Sequence, residues 1–259
     1  MLRIIPILIL ILVSFSGLAR AQTVVDIRTR PNVTQRAVVL APSEPKAAVI
    51  LFAGGNGGLQ ITSQGSFKWG GSNFLVRTRQ MFADQSLYVV VVDAPSDRQR
   101  DPFLGGFRQT PQHIEDIKAT IAYVRSQTKV PVWLVGTSNG TYSVGFAATQ
   151  LTGPEGPDGI VLTSTILSSD VGRAVPRMEL DKIKIPVLVA HHELDGGKYC
   201  PFNLMPSFMT ALSQTPRKEL LSYRDGRTQG DPCEALAYHG FNGIEARVVA
   251  DIANWIDAK

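Results

Sequence analysis

The sequence predicts one doubly wound α/β domain, with a mostly parallel sheet of about eight strands and helices on both faces. Three observations predict it. Unbroken apolar runs, such as 47–52 and 88–92, read as strands buried on both faces. Segments of helical period lie between such runs, most clearly after Pro111, where Ile114, Ile117, Ile121 and Val124 share one face. Glycines and prolines punctuate the alternation, and no repeat or long linker interrupts it.

In chain order, 24–28 and 35–40 alternate β-branched with polar residues and predict an opening hairpin. The buried strand 47–52 runs into Ala53-Gly54-Gly55-Asn56-Gly57-Gly58. A helix is expected over 73–83. The strand 88–92 is closed by Asp93-Ala94-Pro95. The spacing then predicts a helix over 111–128, a strand over 130–135, a sharp connection over 136–140 and a helix over 142–151. Strands at 159–166 and 185–190, a helix at 201–213, a short strand at 220–223 and a helix at 243–258 complete the chain. Only about 18 residues separate 166 from 185, too few for a helical lid domain, so a minimal lid or none is expected.

The first 21 residues read as a signal peptide. Arg3 gives a basic start, 4–17 is apolar apart from Ser14 and Ser16, and Ala19-Arg20-Ala21 fits cleavage before Gln22. The apolar run is shorter than the ~20 residues of a spanning helix, so no stable membrane insertion is expected after cleavage. The expectation is a secreted or periplasmic protein with a single catalytic domain over 22–259. The formal charge of +4 includes Arg3 and Arg20, leaving about +2 on a chain whose basic residues are scattered. Nothing in that pattern points to nucleic acid. Cys200 and Cys233 both follow the leader, and an even count in an oxidising compartment favours a disulfide. Such a bridge contributes roughly 3–4 kcal/mol on the chain-entropy view. The two are not a C-x-x-C pair and the chain has 4 histidines, which disfavours a metal site.

The strongest chemical signal is Gly136-Thr137-Ser138-Asn139-Gly140, set between a buried strand and a helix. A nucleophile elbow needs that setting, because its strained central residue tolerates almost no side chain two places either side. The helix N-terminus and the next backbone N–H then face developing negative charge. A serine needs a base oriented by an acid. His239, in a loop just before the last helix, is the candidate base. Asp195, on the turn after 185–190, is the candidate acid, with Glu193 and Asp170 as rivals. The oxyanion donors expected are the N–H of Asn139 and one from Gly55 or Asn56. The glycine-rich turn lacks both the G-K-[ST] ending of a phosphate loop and the G-x-G-x-x-G spacing. Adjacent His191 and His192 point to opposite faces of a strand and read as structural or loop-orienting. His113, at a helix start, reads as solvated. No metal or organic cofactor is required.

On these residues the chain resembles the α/β-hydrolase family over nearly all of 23–258. It looks especially like small exported bacterial hydrolases of undefined substrate, in which a late strand runs into H-H-x-x-D and cysteines flank the acid and histidine loops. Here Cys200 follows Asp195 by five residues and Cys233 precedes His239 by six. The resemblance implies a bridge pinning the two loops together. One departure is Ala53-Gly54, where many relatives have His-Gly. The expected activity is cleavage of a small-molecule ester through an acyl-enzyme on Ser138. An acyltransferase or peptidase with the same triad, or a non-catalytic binding protein, are the alternatives. Trp69, Phe103 and Phe107 lie on loops placed to wall the pocket or to pack within the protein.

Overall fold

The computed structural model describes residues 22–171 and 173–258, so the expected signal peptide lies outside the described residues. Eight strands form one sheet in the order β1-β2-β4-β3-β5-β6-β7-β8. They are β1 (Thr23–Arg30), β2 (Val33–Leu40), β3 (Ala47–Phe52), β4 (Leu87–Pro95), β5 (Val132–Thr137), β6 (Gly159–Thr163), β7 (Val187–His192) and β8 (Lys218–Tyr223). β2 runs antiparallel to β1 and β4, and every pair from β4 through β3 to β8 is parallel. The helices are α1 (Phe74–Arg77), α2 (Arg79–Asp84), α3 (Pro111–Gln127), α4 (Gly140–Gln150), α5 (Met205–Ala211) and α6 (Glu245–Asp257).

Alternate residues of the central strands feed two separate cores, as a pleated sheet buried on both sides requires. Ala48, Ile50, Val90 and Leu134 pack with Ile117, Ile121 and Val124 of α3, Val144 and Ala147 of α4 and Phe208 of α5. Val49, Leu51, Val91 and Val135 pack on the other face with Phe74, Phe82 and the Val248, Ile252 and Ile256 stripe of α6.

The expected helix over 73–83 is interrupted. Thr78, fully buried, sits between α1 and α2 at φ −94°, ψ 2°, and its hydroxyl donates to the Phe74 carbonyl at 2.7 Å. That local bond competes with a continued helical ladder. In the segment expected to be one helix over 201–213, a short 3-10 turn at Phe202–Leu204 precedes α5, which has a proline in its first turn. Between β6 and β7 the described residues hold only two 3-10 turns, Val175–Arg177 and Leu180–Lys182. No helical lid stands over the sheet edge there.

β3 is the switch point. Its chain leads to β4 on one side, while β5 lies on the other and starts the run toward β8. In such sheets the crevice beyond the carboxyl ends of the two switch strands is where ligands bind. Phe52 pairs with Gly136, so the loop after β3 and the elbow after β5 emerge side by side. Asp93, near the end of β4, anchors the far end of the β3 loop. Its buried carboxylate accepts from the backbone N–H groups of Leu59 (2.8 Å), Gln60 (3.1 Å), Ile61 (2.8 Å) and Ala94 (2.7 Å). Asp93→Ala leaves several buried donors without an acceptor and is expected to lower the unfolding free energy by about 3 kcal/mol. Urea denaturation measures this, and a loss below about 1 kcal/mol would contradict the anchoring role.

Candidate active site

Ser138 sits one residue past β5, in the left-handed region at φ 52°. A non-glycine residue there is strained and persists only where its surroundings impose it. The flanking glycines are required by close approach. A Cβ on Gly136 would stand 2.6 Å from the Gly140 carbonyl oxygen, and one on Gly140 would stand 2.1 Å from the Phe52 carbonyl oxygen. Gly54 is equally constrained, since its Cβ would meet the Ser138 Cβ at 2.9 Å. The loop after β3 therefore lies directly against the serine. Asn139 follows as the N-cap of α4, and among the described residues its backbone N–H has no acceptor.

His239 lies in a 3-10 turn, Tyr238–Gly240, ahead of α6. Its Nδ1 meets Asp195 Oδ2 at 2.9 Å, with both residues buried. The other oxygen, Asp195 Oδ1, accepts from the Gly197 N–H at 2.9 Å. An ionised carboxylate accepts only, so Nδ1 carries the proton and Nε2 is left as the basic atom. The rival acids are committed elsewhere. Glu193 accepts from Ser222 Oγ at 2.9 Å and pairs with Arg224, and those partners hold its carboxyl below the usual range. Asp170 is bound by Lys198 Nζ (2.7 Å) and Tyr199 Oη (2.6 Å), also with a lowered pKa.

The two histidines at the end of β7 build the site's frame. His191 Nδ1 accepts from the Thr165 N–H at 3.3 Å, so its proton sits on Nε2, which donates to the Cys200 carbonyl at 2.9 Å. Burial lowers its pKa and keeps it neutral. His192 Nδ1 accepts from the Leu194 N–H at 3.0 Å, its Nε2 bonds the Asp225 carbonyl at 2.9 Å, and its ring stacks on Tyr238 at 4.3 Å. It thereby links the acid turn to the residue beside His239. The His239 carbonyl accepts from Ser164 Oγ at 2.6 Å, fixing the turn from below.

Ser138, Asn139, His239 and the turn residues Gly55 and Asn56 line one cavity of about 590 Å³, with Trp69, Phe103 and Tyr199 on its walls. Among the described residues neither Ser138 Oγ nor His239 Nε2 has a hydrogen-bond partner. Both face the cavity as free groups, and a bond between hydroxyl and base often tightens only when substrate binds. Phe107 is instead buried with Ala94 and Leu104, away from this wall.

One expectation changes. His113 is not solvated. It is fully buried at the start of α3, against the Phe52 and Phe107 rings, with Nε2 2.9 Å from Ser143 Oγ. Burial and the nearby Arg108 cation push its pKa down to about 3. The bridge between Cys200 and Cys233 is not shown, since the two cysteines are unbonded in this structure. Cys200 is buried with Sγ 3.4 Å from the Ser164 carbonyl oxygen, whereas Cys233 is exposed, although both border the cavity. Ligand atoms of Asp195, Cys200 and His239 lie within 4.8 Å of one another. Burial drives the Cys200 thiol pKa upward, against the thiolate a metal takes, and the Asp195–His239 bond already occupies the other two.

Sequence reasoning missed Arg108. Its buried guanidinium donates to the carbonyls of Ala53 (2.9 Å) and Gly55 (3.2 Å) and to Ser143 Oγ (3.0 Å). Asn139 Nδ2 also donates to the Gly55 carbonyl at 3.2 Å. The only advance signal was an arginine just before a helix, which is ordinarily a surface feature.

No protein-family model matches the chain, and no curated protein matches it. Solved structures do. A dienelactone hydrolase from Anabaena variabilis ATCC 29413 superposes with a TM-score of 0.64 at 12% identity, covering 91% of this chain and 96% of that one. XC6422 from Xanthomonas campestris, described as an α/β serine hydrolase without lid, gives 0.57 at 17% identity, over 91% of each chain. Est1E from Butyrivibrio proteoclasticus, solved with ferulic acid, gives 0.62 at 14% identity, over 90% of this chain and 97% of that one.

Proposed function

The chain has the α/β-hydrolase fold, and we propose that it is an exported serine hydrolase cleaving small-molecule carboxylic esters. One observation carries the reading: His239, bonded to the buried Asp195 carboxylate at 2.9 Å, lines the same cavity as a serine held at φ 52°. Nothing in a packed core requires that combination.

In the mechanism this supports, Ser138 Oγ attacks the ester carbonyl carbon while His239 Nε2 takes its proton. Asp195 stabilises the imidazolium and holds its tautomer. The Asn139 N–H and a second N–H from Gly55 or Asn56 receive the oxyanion. The imidazolium protonates the departing alkoxide, leaving an acyl-serine. Water, deprotonated by His239, then releases the acid and restores Ser138.

The uncovered site and a cavity of about 590 Å³ suit short acyl groups over long lipid chains. Among the described residues no helix is long and apolar enough to cross a membrane. A panel of nitrophenyl esters of rising acyl length, with amides and alcohol acceptors alongside, tests the reading. kcat/KM is expected to be highest for short esters and to fall roughly tenfold or more for long ones. A long-chain preference contradicts the open site. Faster turnover of amides, or transfer to alcohols over water, would favour a peptidase or an acyltransferase.

Export by the leader sequence places both thiols in an oxidising compartment. There Cys200 and Cys233 lose two protons and two electrons to an oxidising disulfide of a partner, which becomes a dithiol, and a bridge joins the acid loop to the histidine loop. The exported chain is expected to gain two hydrogens in mass on reduction. Alkylation of both cysteines without reductant would contradict the bridge.

A further inference from the structure

Arg108 is a buried cation with three neutral partners and, among the described residues, no carboxylate within reach. An unpaired buried charge is costly and persists where something offsets it. Its placement shows what it organises. Two of its bonds go to carbonyls of the loop after β3, and the third goes to Ser143 in the first turns of α4. It therefore ties together the two elements that flank Ser138.

The peptide group is planar and trans, so a carbonyl turned one way turns the next N–H the other way. With the Gly55 carbonyl held by Arg108 and by Asn139 Nδ2, the Asn56 N–H points away from the guanidinium. Residues 53–58 line the cavity, whereas Arg108 is buried behind them. The loop lies between cation and cavity, so a peptide whose carbonyl is held by the cation turns the Asn56 amide to the opposite side. Gly57 leaves room for this, since a Cβ there would stand 2.5 Å from the guanidinium.

We propose that Arg108 is the positioning residue for the oxyanion loop, selecting the Asn56 N–H as the second donor and setting a fixed positive charge behind it. This rests on the esterase reading above. The negative charge that complements Arg108 then arrives only with the tetrahedral intermediate, which is the interaction that lowers a barrier instead of merely tightening substrate binding. Burial lowers the Arg108 pKa to about 9, so the group stays protonated at neutral pH.

The test compares wild type with Arg108→Met, Arg108→Lys and Ser143→Ala. Each is measured for steady-state hydrolysis of a short nitrophenyl ester and for binding of a trifluoromethyl ketone, whose adduct on Ser138 carries an oxyanion. For Arg108→Met, kcat is expected to fall about 10- to 100-fold with KM within about threefold, and ketone affinity to fall by the same factor. Arg108→Lys restores part of both losses, because it keeps the charge without the fork. Ser143→Ala gives a smaller, parallel loss. A folded Arg108→Met with kcat and ketone affinity near wild type overturns the proposal. If that variant does not fold, unchanged ketone affinity in both Arg108→Lys and Ser143→Ala overturns it. Wild type that hydrolyses no ester and binds no ketone overturns the esterase reading itself, a result distinct from any difference among the variants.

Discussion

Ser138→Ala is expected to lower kcat/KM for a short ester by roughly a million-fold, with the fold unchanged. The size follows from the role. The hydroxyl forms the covalent bond to the acyl carbon, and without it only the oxyanion donors and binding remain, which retain roughly 10³–10⁴-fold over water. Stability should not fall, because Ser138 Oγ has no partner among the described residues and the residue is only partly buried, so alanine breaks no bond. The strain at φ 52° is kept, since alanine has the same backbone limits as serine. Loss of activity together with loss of fold would assign Ser138 a structural role instead.

Asp195→Asn is expected to cost roughly 10⁴-fold in kcat. The carboxylate receives His239 Nδ1–H at 2.9 Å and the Gly197 N–H at 2.9 Å. An amide keeps one acceptor oxygen. If that oxygen keeps the Gly197 bond, the amide N–H₂ faces Nδ1 and favours the tautomer with its proton on Nε2, which cannot serve as base. Glu193→Gln and Asp170→Asn should stay within about threefold of wild type, because both groups are exposed or paired with cations away from His239. Parallel kinetics on the three variants separate the candidates. A large effect at Glu193 with none at Asp195 would reverse the assignment.

The parallel sheet was legible because strands buried on both faces leave unbroken apolar runs, as in β3, 88–92 of β4 and 132–135 of β5. The elbow was legible because close backbone approach forces glycine at 136 and 140, and glycine is visible in a sequence. His239 and Asp195 were expected from loop position and chain order, and the structure bonds the two side chains at 2.9 Å. What stayed hidden depended on long-range packing. His113 and Arg108 look like ordinary residues near a helix start until β3 and α4 close over them. The break at Thr78 depends on a side-chain bond that no periodicity reveals. The proposed choice of Asn56 over Gly55 rests on a Gly55 carbonyl held by a residue some fifty positions away, which no local pattern reveals.

The most direct test is labelling of the purified protein with a fluorophosphonate, followed by peptide mapping. The reagent reacts with a serine only where a base activates it and donors receive the phosphonyl oxygen. The expected result is one adduct, on Ser138, lost in Ser138→Ala and strongly slowed in His239→Ala. Equal labelling of wild type and Ser138→Ala, or an adduct on another residue, would contradict the convergence of Ser138, His239 and Asp195 in one working site.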